Sequence, residues 1–438
     1  MKNSIIILIA KVVNFIVRLT GHNGGNVVGK IAKKMNPDII KSFKIDCPII
    51  AVTATNGKTT TNNCIKYILE KNGKKVVSNS EGNNMETGII ATFIKSSNLK
   101  GEIDADFVTL EVDESYVPII FKKIKLDTLL VLDFFRDQLD RNGEVETLIL
   151  KINEFLKEYD GNLILNLDDP NVARLKENMA RDNVFYFSVD KYKYATKNER
   201  EAGEGKFCPF DKNRLKYEYY QYSHIGKFAC PKCGYGVEEI FLKVENPNVE
   251  NGTFKIDGKQ YESLARSIYT IYNLAGAIAV AKGYGINSIE PVKTFKLDNG
   301  RAELAKIKGI DTYINLAKNP TGANVSLRTL NEDSCKKDLL FVLNDKIADG
   351  KDVSWIWDIN FDVSNVNRII TSGTRCYDMA IRVKTSGFPN SKIEAYSNLD
   401  EAVEALYKTD YKKYVIANYT ALQPTRKSLQ KFKSQAKE

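Results

Sequence analysis

The sequence predicts an α/β protein in two parts. A central P-loop domain with a parallel-rich sheet and an inserted zinc ribbon comes first, and a Rossmann-like C-terminal α/β domain follows. Three observations carry this expectation. Apolar strand-like runs alternate with helical spacing from residue 48 to about 188, a Gly-Lys-Thr turn joins the first strand to the first helix of that region, and the alternation resumes beyond residue 301. At 438 residues the chain is too long for one compact core, so two or three domains are expected.

Residues 48–52 are continuously apolar and read as a buried strand. Thr55-Asn56-Gly57-Lys58-Thr59-Thr60 follows, and 62–69 has helical spacing. Strand, turn and helix make a phosphate cradle, in which backbone N–H groups and the helix N-terminus face the anion, the lysine reaches the β/γ-phosphates and a hydroxyl holds Mg²⁺. The general motif wants Gly where this chain has Val52, and a shorter variant wants it where Ala54 stands.

Further strands are expected at 75–78, 106–112, 126–132, 161–165 and 183–188, with helices between them, for instance 144–158. Such a sheet carries its ligand site at the carboxyl ends of the strands. Two acidic clusters fall there, Glu111-Val-Asp-Glu114 and Asp133 to Gly143. They fit carboxylates for the Mg²⁺ that bridges nucleotide phosphates, with solvated loop charge or helix caps as the alternative.

Near Cys208 the composition changes. Cys208-Pro-Phe-Asp211 faces Cys230-Pro-Lys-Cys233-Gly about twenty residues on, which is zinc-ribbon spacing with Asp211 in place of one Cys. A structural Cys₃Asp zinc site and a metal-free hairpin both remain open. Residues 268–281 read as a helix with a buried face and contain Asn273, and Asp298-Asn-Gly-Arg301 reads as a domain junction. The second domain is expected to place strands at 312–316, 339–343, 368–371, 392–396 and 413–417. Its helices are expected at 321–330, 377–385, 399–407 and 425–433. Two of its segments read as functional. One is 315–324, a polar turn between a strand and a helix. The other is 343–358, with four Asp and both tryptophans, which reads as an acidic or partner-docking loop or else as a loop pinned by its two Trp.

The divisions expected are therefore a helical segment at 1–45, the ATP-binding domain at 46–297 with its insert at about 200–240, and a partner-docking domain at 298–438. The apolar start at Ile5–Ala10 is interrupted by Lys11 and Arg18 before the roughly 20 apolar residues of a membrane span. It reads as an amphipathic helix that packs on the protein or touches the membrane. Seven cysteines, four of them scattered singly, do not make a disulfide framework, and a cytoplasmic location is expected, with the inner face of the membrane within reach. The net charge of +9 allows anionic partners without implying nucleic acid.

The order of motifs resembles the Mur ligase family, on the P-loop at 55–60, the strand-end Glu111, the Asp137–Arg141 loop, Asn273, Arg301 and Asn319-Pro320. More closely it is similar to the ligase-like synthase subunits of lipid II isoglutaminyl synthase. That likeness rests on Phe134–Arg141, the inserted ribbon, 315–320 and 348–358. Against most of the wider family, Asp133 stands for Asn, and Gln138 and Lys318 stand for His. The resemblance implies ATP- and Mg²⁺-dependent activation of the D-Glu α-carboxylate of the lipid II stem peptide as an acyl phosphate, and amidation by ammonia from a separate GatD-like glutaminase. It assigns Lys58 and Thr59 to phosphate and Mg²⁺, Glu111 to Mg²⁺, and Thr55, Asn56, Gly57, Thr60, Asn273 and Arg301 to the nucleotide. It also assigns zinc to Cys208, Asp211, Cys230 and Cys233, and assigns Asp349, with Asp352 as near alternative, to completing the partner's catalytic triad. A Cys-type glutaminase needs an imidazole base, and the chain has only His22 and His224. Two other readings stay open. One is a stand-alone ligase that adds an amino acid to a carboxylate. The other is a zinc-ribbon P-loop protein that binds nucleic acid or switches on nucleotide, which the tyrosines at 217–222 fit in part and Glu238, Glu239 and Glu245 dilute.

Overall fold

The computed structural model describes residues 2–19, 25–79, 83–135, 145–179, 183–197, 204–296, 303–346 and 349–434. Arg301, the loop holding Gln138, and His22 lie outside the described residues. The described chain divides into two compact units, one ending at residue 295 and the other beginning at 296.

The first unit opens with helices α1 (Lys2–Leu19) and α2 (Gly25–Met35). Ile6, Ile7 and Ala10 of α1 and Val28 and Ala32 of α2 are buried in the same core as α4 (Glu86–Ser96). Seven parallel strands follow: β1 (Ile49–Thr53), β2 (Val76–Ser78), β3 (Phe107–Glu111), β4 (Thr128–Val131), β5 (Asn162–Asn166), β6 (Val184–Val189) and β9 (Ile240–Asn248). Between β6 and β9 a hairpin of β7 (Lys216–Tyr222) and β8 (Ile225–Ala229) forms its own two-stranded sheet. Strands β10 (Thr253–Ile256) and β11 (Lys259–Glu262) extend the main sheet antiparallel at one edge, giving the order β11-β10-β9-β6-β5-β4-β1-β3-β2.

Strands β1, β3 and β4 are buried along their whole length, because helices cover both faces, and this is why they read as unbroken apolar runs. Strand β9 alternates buried and exposed residues and carries Glu245 and Pro247. It and the two edge strands were not anticipated, since alternating polar content at a sheet margin resembles loop sequence. Helix α3 (Lys58–Lys71) follows β1, and α6 (Ile268–Gly283) packs against α3.

The second unit is a six-stranded sheet in the order β12-β13-β17-β14-β15-β16. Its strands are β12 (Glu303–Ile307), β13 (Ile310–Leu316), β14 (Lys337–Val342), β15 (Val366–Ser372), β16 (Ile393–Tyr396) and β17 (Lys412–Ala417). Only β12 runs antiparallel. Helices α7 (Pro320–Glu332), α8 (Cys376–Thr385), α9 (Leu399–Leu406) and α10 (Tyr419–Ser434) cover the two faces, and a separate apolar cluster lies on each. Helix α10 begins six residues earlier than the sequence suggests and contains Pro424. Its first turn is held by a side-chain cap described below.

Candidate active site

The cradle forms where β1 ends. Thr53 Oγ1 donates to Val112 O (2.9 Å), and Thr55 N donates to Asp133 O (3.0 Å), so the loop is tied to the ends of both neighbouring strands. Thr55 Oγ1 also accepts from Phe135 N at 3.0 Å. Gly57 adopts φ +83°, and a Cβ there would stand 2.1 Å from Asn273 Oδ1. Glycine is therefore required twice, by backbone conformation and by the Asn273 side chain lying against it. Ala54, in contrast, is buried and is not among the non-glycine residues with positive φ, so its methyl group imposes no left-handed strain.

Lys58 opens α3 and is buried. Its Nζ donates to Ala54 O and lies 2.8 Å from Glu114 Oε2, itself buried. Burial pushes the ammonium pKa down, but the carboxylates of Glu114, Asp113 and Glu111 more than offset this and hold it above the ordinary lysine range. The lysine stays charged. Thr59 is half-buried on the first turn, and Thr60 is buried behind it.

Glu111 ends β3, in register with Val52 of β1. Asn79 clamps its backbone from both sides, accepting from Glu111 N and donating to Glu111 O at 2.8 Å each. The carboxylate is 3% exposed, and Oε2 has no hydrogen-bond partner among the described residues. A buried anionic oxygen left without a donor fits a cation ligand, because no protein group compensates its lost hydration. The donor set here, a hydroxyl and carboxylates, is the oxygen chemistry that Mg²⁺ takes.

Asp133 lies two residues beyond β4 and accepts from Asn56 N at 2.8 Å. Burial pushes its carboxyl up to about 8; the Asn56 N–H works against this, and the charge of Asp169 adds to it. Asp169 accepts from Phe134 N and Asn171 N. Neighbouring Asp168 is raised to about 6 by burial, against hydrogen bonds from Tyr272, Val189 and Ser188.

Sequence reasoning gave Glu114 no individual role and missed His224 as a structural group. His224 sits at the tip of the β7–β8 hairpin, 2% exposed, with Nε2 3.3 Å from Asp169 Oδ1 and its ring 4.5 Å from that of Phe135. Burial is the largest influence and lowers its pKa, but Asp169, Glu204 and Asp133 together outweigh it, so the net shift is upward. The inserted hairpin thus reaches the chain segment that follows β4 beside the cradle.

At the hairpin's base lie the two knuckles. Lys212 N donates to Cys208 O (3.0 Å) and Gly234 N to Cys230 O (3.1 Å), and Lys212 and Gly234 both adopt left-handed φ, +62° and +76°. The two turns share one backbone geometry, and Asp211 occupies in the first the place that Cys233 has in the second. One ligand atom from each of Cys208, Asp211, Cys230 and Cys233 lies within 4.8 Å of the others, with Cys208 Sγ 3.6 Å from Cys233 Sγ. These four residues fit a single tetrahedral ion.

In the second unit, polar residues gather at the carboxyl ends of β14, β15 and β17. The Asn418 side chain clamps the Asn344 backbone, accepting from Asn344 N (3.0 Å) and donating to Asn344 O (2.7 Å), and Asp345 pairs with Arg375 (2.9 Å). Asp349 is buried; its Oδ1 accepts from Thr420 N at 2.8 Å and its Oδ2 from Thr420 Oγ1, which caps the start of α10. Asp352 is exposed and bonded locally to Ser354, accepting from Ser354 N at 2.8 Å. Trp355 packs on the core, while Trp357 is 54% exposed, with the Arg382 guanidinium 5.7 Å from its ring centroid. Asn319 caps α7 through Gly322 N (2.8 Å), so that strand-end turn is built as a helix start.

Comparison with known proteins places this geometry. Residues 52–230 match a family described as Mur ligase middle domain, and residues 316–422 match one described as MurT ligase C-terminal. The chain is 32% identical over 430 residues, 95% of each chain, to the lipid II isoglutaminyl synthase (glutamine-hydrolyzing) subunit MurT of Staphylococcus aureus (strain COL). It is 30% identical over 433 residues, 96% of each, to the subunit of the same name from Streptococcus pneumoniae (strain ATCC BAA-255 / R6). Among solved structures, a pseudomurein peptide ligase type C from Methanothermus fervidus superposes with a TM-score of 0.70 at 23% identity, over 94% of this chain and 86% of the other. MurF from Acinetobacter baumannii gives 0.65 at 14%, over 92% and 80%. Those two likenesses establish the Mur ligase-like α/β fold.

Proposed function

The chain belongs to the MurT family of Mur ligase-like synthase subunits, and from that premise we propose that it amidates the D-Glu α-carboxylate of the lipid II stem peptide to D-isoglutamine. The reaction serves peptidoglycan biosynthesis. The observation that supports the chemistry best is the cradle itself: a charged, buried Lys58 beside Glu111, whose buried carboxylate keeps one oxygen without a donor.

A carboxylate is a poor acyl donor, so the acceptor must first be phosphorylated by ATP. Gly57, Lys58, Thr59 and Thr60 would hold the phosphates on the N-terminus of α3, with Lys58 exchanging Glu114 for phosphate oxygens as charge develops. Thr55 and Asn56 shape the loop, Asn273 of α6 lies against it, and the family resemblance assigns Arg301 to the nucleotide. Thr59 and Glu111 would hold Mg²⁺, which when bound supplies neutralising charge. The acyl phosphate then loses phosphate to attacking ammonia, and the amide forms.

The chain needs a supplier of that ammonia. His224 is buried against Asp169, so it is a poor thiol base, and this supports a separate GatD-like glutaminase as partner in a heterodimer. The 298–438 domain would dock it, with Asp349 completing the partner's Cys–His pair after leaving Thr420, or Asp352 doing so from its exposed position. Zinc at Cys208, Asp211, Cys230 and Cys233 would be structural, since four protein ligands leave no open position. The reaction would take place in the cytoplasm.

Purified chain, alone and with a GatD-like subunit, should be tested for ATP-dependent amidation of lipid II with glutamine or ammonia as donor. Activity with ammonia alone, and with glutamine only when the partner is present, is expected. No activity of the chain with ammonia would sink the assignment of the ligase chemistry. Lys58→Ala should lower amidation by about a hundredfold or more while partner binding persists.

A further inference from the structure

Helix α1 has two unlike faces. One is fixed to the body: Ile6, Ile7 and Ala10 are buried, Lys11 Nζ donates to Ser97 O (2.6 Å), and Asn3 Oδ1 accepts from Asn36 Nδ2 (3.0 Å). The other is bare. Every exposed side chain between residues 5 and 16 is apolar: Ile5, Leu8, Ile9, Val12, Phe15 and Ile16, up to 65% exposed at Phe15. At helical spacing these six fall within an arc of about 120°. That is a stripe, not scattered surface leucines.

Charge says what covers it. Residues 1–45 hold eight Lys or Arg and one Asp, a net +7 of the total +9, and of these Lys33, Lys41 and Lys44 pair with Glu86, Asp38 and Glu102. On α2, packed against α1, Lys30 and Lys34 are exposed and form no ion pair among the described residues. No helix among the described residues is long and apolar enough to cross a membrane. We propose that α1 and α2 form a monotopic docking surface for an anionic bilayer, with the apolar stripe of α1 entering the headgroup boundary and Lys30 and Lys34 of α2 meeting lipid phosphates. A protein surface as partner would have to match an apolar helix face together with the exposed lysines of the helix packed against it. An anionic bilayer supplies both complements at once, and the helix is already folded and anchored, so no ordering cost remains. The observations stand without the functional reading. They deepen it in one respect, because a lipid-linked acceptor would be met at this surface.

The test uses the full chain and sedimentation with vesicles of phosphatidylglycerol and phosphatidylcholine, against phosphatidylcholine alone. The chain is expected to pellet with the anionic vesicles, less so at high salt. Leu8→Glu/Phe15→Glu and Lys30→Glu/Lys34→Glu should each weaken binding by about tenfold or more. All four side chains are exposed, so the fold should persist. Should a variant unfold, hydrogen exchange on the unaltered chain serves instead, with protection gained over residues 5–16 when vesicles are added. The proposal is overturned if the chain stays in the supernatant, if the stripe variants bind as well, or if residues 5–16 gain no protection. It is also overturned if the stripe variants instead dissolve a dimer or release the partner subunit. Amidation of a water-soluble stem peptide, run in parallel, reports the functional reading alone.

Discussion

Lys58 Nζ lies 2.8 Å from Glu114 Oε2 inside the protein, so the lysine of the cradle is paired with a buried carboxylate. Both groups are buried, and removing one partner of such a pair leaves an uncompensated charge, which costs about 3–5 kcal/mol. Glu114→Gln should therefore lower the melting temperature of the nucleotide-free protein. Triphosphate should compensate the bare ammonium and recover much of the loss. Thermal shift with ATP should then be larger in the variant than in the unaltered chain; an equal shift would show that phosphate does not replace Glu114 at Lys58.

Asp133 carries a pH dependence with a definite sign. Its folded pKa of about 8 lies above the ordinary 3.8, so between those values the folded state keeps a proton that the unfolded chain has released. Stability from this group is present at low pH and declines as pH rises from about 4 to 8. Asp133→Asn keeps an oxygen for Asn56 N and has nothing to ionise. Its stability relative to the unaltered chain should grow between pH 5 and 8, by on the order of a few kcal/mol at most. Denaturant melts across that range check this, and a difference independent of pH would refute it.

The knuckles predict a metal content. About one zinc per chain is expected by elemental analysis, since four ligands make one tetrahedral site. Asp211→Cys should retain it, and Cys230→Ser should lose it. Chelation should lower the melting temperature, because the knuckles clamp the base of the hairpin whose tip buries His224 against Asp169. A metal-free protein of full stability would mark Asp211 as the residue that ended metal binding.

Asp349 and Asp352 differ in a way that separates their roles. Asp349 caps α10 through Thr420, so Asp349→Asn should lower stability by about 1 kcal/mol whatever else it does. In the reconstituted complex it should also cut glutaminase turnover without dissociating the subunits, as expected for loss of an imidazole-orienting carboxylate. Asp352→Asn should leave both nearly unchanged. If only Asp352→Asn lowers turnover, the exposed residue is the one that reaches the partner.

The sequence by itself determined the strand–turn–helix cradle, the parallel order of apolar strands and the pairing of two knuckles. Each is written locally, in a hydrophobic run, a Gly-Lys pair or a four-residue spacing. Strands buried on both faces were legible for that reason, and the margin strands β9 to β11 were not, because half-exposed strands share their composition with loops. Family membership was legible too, since it rests on motif order along the chain. Tertiary structure alone decided the rest. It brought Asn273, over two hundred residues away in sequence, onto the site that a Gly57 side chain would fill. It turned Asp349 inward and left Asp352 outward within one loop, because the N-terminus of α10 offered donors to the first and not to the second. It set His224 under Phe135 and left one face of α1 bare. Burial and partnership over long sequence separations set these outcomes, and no local pattern encodes them.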